Sequence, residues 1–178
     1  PWLPGLAALW LTLAAAAAWA WQGARSDHDA PLRWPHPALT WAVVGSGVDR
    51  SLVELAAAAW QQPCGRQLSI VRARPGQVAA ITVTVAQGRW PHDAAEVAWT
   101  TLQADADSGQ VRKATIALNP AWWLSGRARD DQLALLVHEF GHALGLAHTI
   151  DRNTVMFGGL RRRTVLAEDD ARGVCALF

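Results

Sequence analysis

The sequence predicts one mixed α/β domain in which about five strands form a twisted sheet and a long helix packs against it. Short runs rich in β-branched residues suit strands, and two longer runs, near 51–62 and 130–144, place apolar residues at helical spacing. Gly- and Pro-containing turns separate these runs. A chain of 178 residues accommodates one such domain and a short leader, but no second large domain.

The first half of the domain is predicted to contain a strand, a helix and two further strands. LTWAVVG (39–45) has the β-branched and aromatic content of a strand. The spacing of Ser51 and Glu54 matches a capping box and predicts the start of a helix, which Pro63 ends. The next two strands are QLSIVRAR (67–74) and VAAITVTVAQ (78–87).

The second half is predicted to contain a β-hairpin and two helices. EVAWTTLQAD (96–105) and QVRKATIALNP (110–120) are extended runs that a turn containing Asp-Ser-Gly joins. Asp130 or Asp131 is expected to cap the long helix that follows. A loop and a short terminal helix complete the domain.

The beginning of the sequence has the composition of an export segment. The first 21 residues carry no charge, and Ala18-Trp19-Ala20 offers a small-x-small cleavage site. Residues 1–25 are therefore predicted to be a signal peptide or, alternatively, a retained membrane anchor, since about 20 apolar residues can span a bilayer. Both interpretations place the rest of the chain outside the cytoplasm, secreted or anchored through this segment. Residues 26–37 are predicted to be a linker, and 38–178 the functional domain.

The charge balance excludes some partner classes. The chain contains 16 Lys and Arg and 15 Asp and Glu, so its net charge is +1. The electrostatic field of such a chain is too weak to indicate nucleic acid as a partner. The basic cluster Arg161–Arg163 is more typical of a solvated turn. We expect a monomer that meets a membrane only if its N-terminal segment is retained.

Two cysteines, Cys64 and Cys175, are the whole cysteine content of the chain. In an exported protein such a pair is most simply a disulfide, and the alternative is two buried free thiols.

Residues 138–148 read HEFGHALGLAH and carry the strongest chemical signal. Residues four apart share one face of a helix, so His138 and His142 can present two nitrogens to one metal ion. Gly145 permits the chain to reverse and bring His148 back as a third ligand. Glu139 is placed to take a proton from the attacking water rather than to bind the metal. This pattern predicts one catalytic Zn²⁺ site.

The motif resembles that of the metzincin zinc endopeptidases, and its Met-turn resembles that of the matrixin branch. Met156, the single methionine, lies eight residues after His148. The resemblance implies that this methionine packs beneath the zinc ligands, and that Asp169 or Asp170 in the terminal helix ties the Met-turn. The absence of tyrosine disfavours the astacin and serralysin branches. The resemblance thus implies a metzincin-like domain with an active-site helix, a Met-turn and a C-terminal helix.

The family pattern also bears on a second zinc site, a calcium site and an inhibitory cysteine thiolate. Trp99 stands where a structural zinc ligand of vertebrate matrixins would be, and only His92 remains nearby, so one zinc is expected rather than two. Asp105, Asp107 and Gly109 form D-x-D-x-G, which could bind Ca²⁺ but is more typical of a plain turn. Cys64 follows the first helix instead of preceding the domain, which argues against an inhibitory thiolate.

The resulting hypothesis is an exported zinc metalloendopeptidase that cleaves extended protein or peptide substrates. The alternative is a catalytically silent zinc-binding domain that recognises peptides. The peptide is expected to pair with the edge strand from Val97 through Ala98 and Trp99 to Thr100. The specificity pocket is expected between the active-site helix near Ala134 and the segment from Phe157 to Leu160.

Overall fold

The computed structural model describes residues 21–159 and 162–178. Most of the predicted leader, residues 1–20, lies outside the described residues. The elements in chain order are β1 (Ala38–Val43), α1 (Arg50–Gln61), β2 (Ser69–Arg72), β3 (Ile81–Val85), β4 (Ala98–Ala104), β5 (Val111–Leu118), α2 (Pro120–Trp123), α3 (Arg129–Leu144) and α4 (Glu168–Leu177). A 3₁₀ segment, Gln62–Gln67, follows α1 directly.

The five strands form one mixed sheet, which confirms the predicted fold class. Their order is β2-β1-β3-β5-β4, and all neighbours are parallel except the hairpin of β4 with β5. Strand β4 therefore lies at an edge of the sheet. Along β3, Ile81, Val83 and Val85 are buried while the two threonines between them are only partly buried, as the alternation in sequence predicts.

Helices α1 and α3 cover the buried face of the sheet and enclose the core. Tryptophan side chains fill much of this space, and their indole N–H groups find backbone acceptors. The Nε1–H of Trp60 on α1 donates to the carbonyl of Val137 on α3 at 2.7 Å, and that of Trp34 donates to Ala143 at 2.9 Å. Both contacts fix α3 against its surroundings.

Element boundaries differ from the predicted ones where backbone capping decides them. The capping-box prediction at Ser51 was wrong, because Asp49 caps α1 by accepting from the N–H of Ser51 at 2.8 Å. Helix α3 begins at Arg129, so neither Asp130 nor Asp131 is its N-cap. Both lie inside the first turn, where the helix dipole stabilises acidic side chains. β2 and β3 are each shorter than the runs that predicted them.

Residues 21–37, which include the predicted linker, pack along the domain. The N–H of Ala24 donates to Gly145 at 2.7 Å, and the N–H of Ala147 donates to Gln22 at 2.8 Å. Leu32 and Trp34 are buried. In the part of the chain that the structure describes, no helix has the length and apolar character needed to cross a membrane.

A disulfide joins the segment after α1 to the C-terminal helix. Cys64 in the 3₁₀ segment bonds to Cys175 in α4, with an S–S distance of 2.01 Å. The bond links residues 111 positions apart, so it closes a loop that includes nearly the whole sheet and α3.

Removal of this disulfide is expected to lower the free energy of unfolding. For a loop of 111 residues, the chain-entropy model gives a loss of about 4–5 kcal/mol in the double variant Cys64→Ala/Cys175→Ala. Urea unfolding of oxidised wild type, reduced wild type and the variant measures this loss. Equal stability of the oxidised wild type and the variant would show that the bond contributes nothing.

Candidate active site

Helix α3 and the reversal after it bring three histidines together. His138 and His142 lie on one face of α3. Gly145 ends the helix with a φ of +108°, a backbone conformation that favours glycine, and its N–H donates to the carbonyl of His142. A side chain there would also approach the carbonyl oxygen of Leu32 to 3.2 Å. The chain turns back, and His148 reaches the other two rings.

The three Nε2 atoms meet at one point. The separations are 3.1 Å between His138 and His142, 3.2 Å between His138 and His148, and 3.0 Å between His142 and His148. A tetrahedral ion with Zn–N distances of 2.0–2.1 Å separates its ligand nitrogens by about 3.3–3.4 Å. The observed triangle is close to this spacing, so the three residues fit a zinc ion.

The other ring nitrogens show which tautomers are present. Nδ1–H of His138 donates to the carbonyl of Val155 at 2.6 Å, and Nδ1–H of His142 donates to that of Leu146 at 2.8 Å. In a neutral ring whose proton is on Nδ1, Nε2 carries a lone pair and can only accept a hydrogen bond or bind a metal. Two such lone pairs cannot hydrogen-bond to each other, so their approach to 3.1 Å calls for a cation between them.

Glu139 lies buried beside the triad. Its Oε2 accepts a hydrogen bond from the hydroxyl of Thr100 on β4 at 2.6 Å. Burial raises the pKa of Glu139, while the charge of His138 and the Thr100 hydroxyl act to lower it. The contact of Thr100 with Glu139 cannot be predicted from the sequence, because no local pattern connects residues 39 positions apart.

Met156 is buried and packs against α3 at Gly141. Gly141, on the side of α3 opposite solvent, lets Met156 and Trp60 approach the helix closely. A Cβ at Gly141 would lie 2.2 Å from Sδ of Met156 and 2.7 Å from the ring of Trp60. Glycine inside a helix is less stable than alanine, so a glycine there indicates that a neighbouring group packs closely. Gly141 is the one sequence signal for this contact.

Asp170 in α4 holds the turn that carries Met156. Its carboxylate accepts from the N–H groups of Val155 at 2.9 Å, Met156 at 3.3 Å and Ala167 at 2.9 Å. The N–H of Thr149 also donates to the carbonyl of Met156 at 2.9 Å. The turn is therefore tied both to the terminal helix and to the segment after His148.

A cleft of about 880 Å³ runs along the free edge of β4 and opens onto the histidines. Of the predicted substrate-binding residues, Val97, Ala98 and Trp99 line it. Ala134 is buried and does not line the cleft, and neither does Phe157; Gly158 lines it beside His148. Leu160 lies outside the described residues. Lining residues that the sequence did not indicate include Ala24, Arg25, Asp27, Leu32, Glu96 and Leu135.

Trp99 contributes to an aromatic cluster next to this cleft. The ring of His92 stacks on Trp99 with centroids 4.2 Å apart, and it meets Trp90 edge-on at 4.9 Å. His92 is thus engaged by two indole rings rather than by ionic or metal-ligating groups among the described residues.

The D-x-D-x-G turn is stabilised by protein groups. Asp105 accepts from the N–H and the hydroxyl of Ser108, both at 2.9 Å, and these bonds lower the pKa of Asp105. Asp107 contacts Nδ1 of His28 at 2.7 Å. These contacts are those of a plain turn. Within residues 21–159 and 162–178, the histidine triad is the one cluster of three or more His, Cys, Asp or Glu arranged to hold a metal ion.

The chain is similar to proteins of known family. The family model described as matrixin matches residues 33–178, a range that contains the triad, Glu139, Thr100 and Met156. Matrix metalloproteinase-20 of Homo sapiens is 31% identical over 139 residues, which cover 74% of this chain and 28% of that protein. The chain therefore spans less than a third of the length of this relative.

Burial lowers the pKa of two of the three histidines, His142 and His148. Burial, followed by the charge of His138, lowers the pKa of His142 to about 3. The same two causes lower the pKa of His148, and the carboxylate of Glu96 opposes them. Neutral rings are the form that binds zinc.

The metal-free protein is expected to become less stable as the pH falls from 6.5 toward 3. His142 is neutral in the folded protein and has a pKa near 6.5 when unfolded, so protonation favours the unfolded chain throughout this range. The loss approaches about 1.4 kcal/mol per pH unit for this group. Urea unfolding of the chelator-treated protein at successive pH values measures it.

Two variants isolate the contribution of His142. His142→Gln is expected to have a shallower pH dependence than wild type, whereas His36→Gln, at an exposed site, keeps the wild-type slope. Identical slopes in wild type and His142→Gln would mean that protonation of His142 does not oppose folding.

Proposed function

Because the chain belongs to the matrixin family, we propose that it is a zinc-dependent metalloendopeptidase. In this proposal His138, His142 and His148 hold one zinc ion, and Glu139 is the catalytic acid–base group. The observation that carries this proposal is the convergence of three Nε2 atoms beside the buried carboxylate of Glu139. The Nε2 atoms of His138 and His142 carry lone pairs, because the Nδ1–H groups of both rings donate to backbone carbonyls. That arrangement supplies both a metal site and a proton carrier.

Zinc, when bound, supplies a Lewis acid that polarises the scissile carbonyl and acidifies the attacking water. Glu139 accepts the proton from that water and passes it to the leaving amine. The Thr100 hydroxyl occupies Oε2, which leaves Oε1 to carry the proton. Burial raises the pKa of Glu139 and so makes its protonated form easier to reach during turnover.

The substrate is proposed to be an extended peptide that pairs with the free edge of β4. An edge strand presents unpaired N–H and C=O groups, and a peptide can satisfy them as an added strand. Val97 and Ala98 lie at this edge and line the cleft. Main-chain pairing here places the peptide next to Thr100, and hence next to Glu139.

The competing hypothesis is a silent zinc-binding domain that holds peptides without cleaving them. Such a domain needs the triad and the edge strand but has no use for Glu139. Burial of a carboxylate costs free energy unless its interactions compensate for the lost hydration. The neighbours of the Glu139 carboxylate are the Thr100 hydroxyl and the proposed metal site. This cost favours the catalytic hypothesis. We place the protein outside the cytoplasm, in keeping with the disulfide.

Replacement of Glu139 by glutamine is expected to abolish cleavage while zinc remains bound. The amide cannot carry the proton, so kcat should fall by about 10²- to 10⁴-fold. Cleavage of a mixed peptide library, with zinc stoichiometry measured on the same samples, tests this. Glu54→Gln, an exposed change on α1, is the matched control and should cleave like wild type.

A chelator should remove activity from wild type, and added zinc should restore it. The protease hypothesis would be falsified if folded wild type with one zinc cleaved no peptide in the library. Equal activity of wild type and Glu139→Gln would remove Glu139 from the mechanism.

A further inference from the structure

The cleft carries an isolated carboxylate at the end where β4 begins. Glu96 lines the cleft immediately before Val97. Its backbone is held firmly, because its carbonyl accepts from Nδ2 of Asn119 at 2.9 Å and its N–H donates to Asp93 at 3.0 Å. Asn119 is itself buried and donates its N–H to the carbonyl of Val97 at 3.0 Å. Glu96 as a residue is nonetheless exposed.

No cation of the described residues balances this carboxylate. Among residues 21–159 and 162–178, no Lys, Arg or His nitrogen forms an ion pair with Glu96. The opposite end of the cleft differs, since Arg25 lines it together with Asp27 and pairs with Asp29. The end at Glu96 thus carries a carboxylate that forms no ion pair with the described residues, in a protein whose net charge is +1.

The position of Glu96 relates it to the bond that is cleaved. Thr100 on β4 contacts Glu139 and lies four residues after Glu96, which precedes the first residue of β4 by two positions. At about 3.3 Å per residue, the two positions are at most roughly 13 Å apart. A long side chain of a bound peptide can bridge part of that distance. The charge of Glu96 acts on both Glu139 and His148, which agrees with this placement.

We propose that Glu96 selects peptides that carry a lysine or arginine two to four residues from the cleaved bond, on the side facing the start of β4. The inference rests on the proposed peptidase function and adds a substrate class to it. Complementary charge at the rim of a binding site contributes to selectivity and to the rate of association. A fixed backbone keeps the carboxylate at one register of the paired peptide.

The alternative is that Glu96 is a solvated residue at the start of a strand, without a role in selection. The two interpretations differ in their consequences for matched peptides. A solvated carboxylate predicts equal cleavage of peptides that differ only in one charge. A selecting carboxylate predicts a preference that disappears with its charge.

The test uses fluorogenic peptides of one parent sequence with Lys, Gln or Glu at a single position, placed two to four residues from the bond on either side. Wild type is expected to cleave a Lys peptide about two to five times faster than its Gln counterpart, in kcat/KM. The preference should appear on one side of the bond only, and it should weaken in 1 M salt, where the Debye length is about 3 Å.

Three variants assign the preference to Glu96. Glu96→Gln should cleave Lys and Gln peptides equally, and Glu96→Lys should favour the Glu peptide instead. Glu54→Gln removes the same charge from a site that does not line the cleft, so it should retain the wild-type preference. A reversed preference in Glu96→Lys also shows that the variant is folded.

Equal cleavage of Lys and Gln peptides by wild type, or a preference that survives Glu96→Gln, would overturn the inference while leaving the peptidase function intact. Failure to cleave any peptide would instead count against the peptidase function. In that event, binding of the same peptides to zinc-loaded Glu139→Gln decides the inference, because selection then appears as a Kd ratio between Lys and Gln peptides.

Discussion

The approach of three imidazole nitrogens to about 3 Å is the constraint on which the rest of the structure depends. Like dipoles at this distance repel unless a cation lies between them. The helical spacing of His138 and His142 and the left-handed Gly145 bring the rings together. The carbonyls of Val155 and Leu146 accept hydrogen bonds from the Nδ1–H groups of His138 and His142, so the Nε2 lone pairs of these two rings face one another. The backbone thus prepares the site for a metal ion.

The scaffold around α3 can be understood as a set of restraints on that geometry. Trp60 and Trp34 donate to carbonyls of α3, and Asp170 fixes the turn that carries Met156. Thr100 joins the carboxylate of Glu139 to the edge strand where substrate is proposed to pair. The proposed proton carrier and the proposed substrate edge are therefore connected by a direct contact beside the histidine triad. The close packing of Gly141 leaves little room for α3 to shift.

The sequence predicted those features that depend on local spacing. The fold class, the β4–β5 hairpin, the long helix and the grouping of the three histidines all follow from residues near one another in the chain. Two distant contacts were also anticipated, the disulfide from the pair of cysteines and the tie of Asp170 to the Met-turn from the resemblance. Other contacts between distant residues escaped prediction: Thr100 with Glu139, Gly141 with Met156 and Trp60, and residues 21–37 with the end of α3. Nor did periodicity place the helix caps, because a side chain that bonds one N–H leaves no repeating pattern.

X-ray absorption at the zinc edge of the purified, metal-loaded protein tests the central claim most directly, since it reports the ligands of the metal itself. We expect one zinc per chain with three imidazole nitrogens at about 2.0–2.1 Å and an oxygen ligand in the remaining position. Replacement of any of His138, His142 or His148 by alanine should remove one imidazole from the spectrum or abolish binding. A sulfur ligand, or fewer than three imidazoles in wild type, would contradict the account.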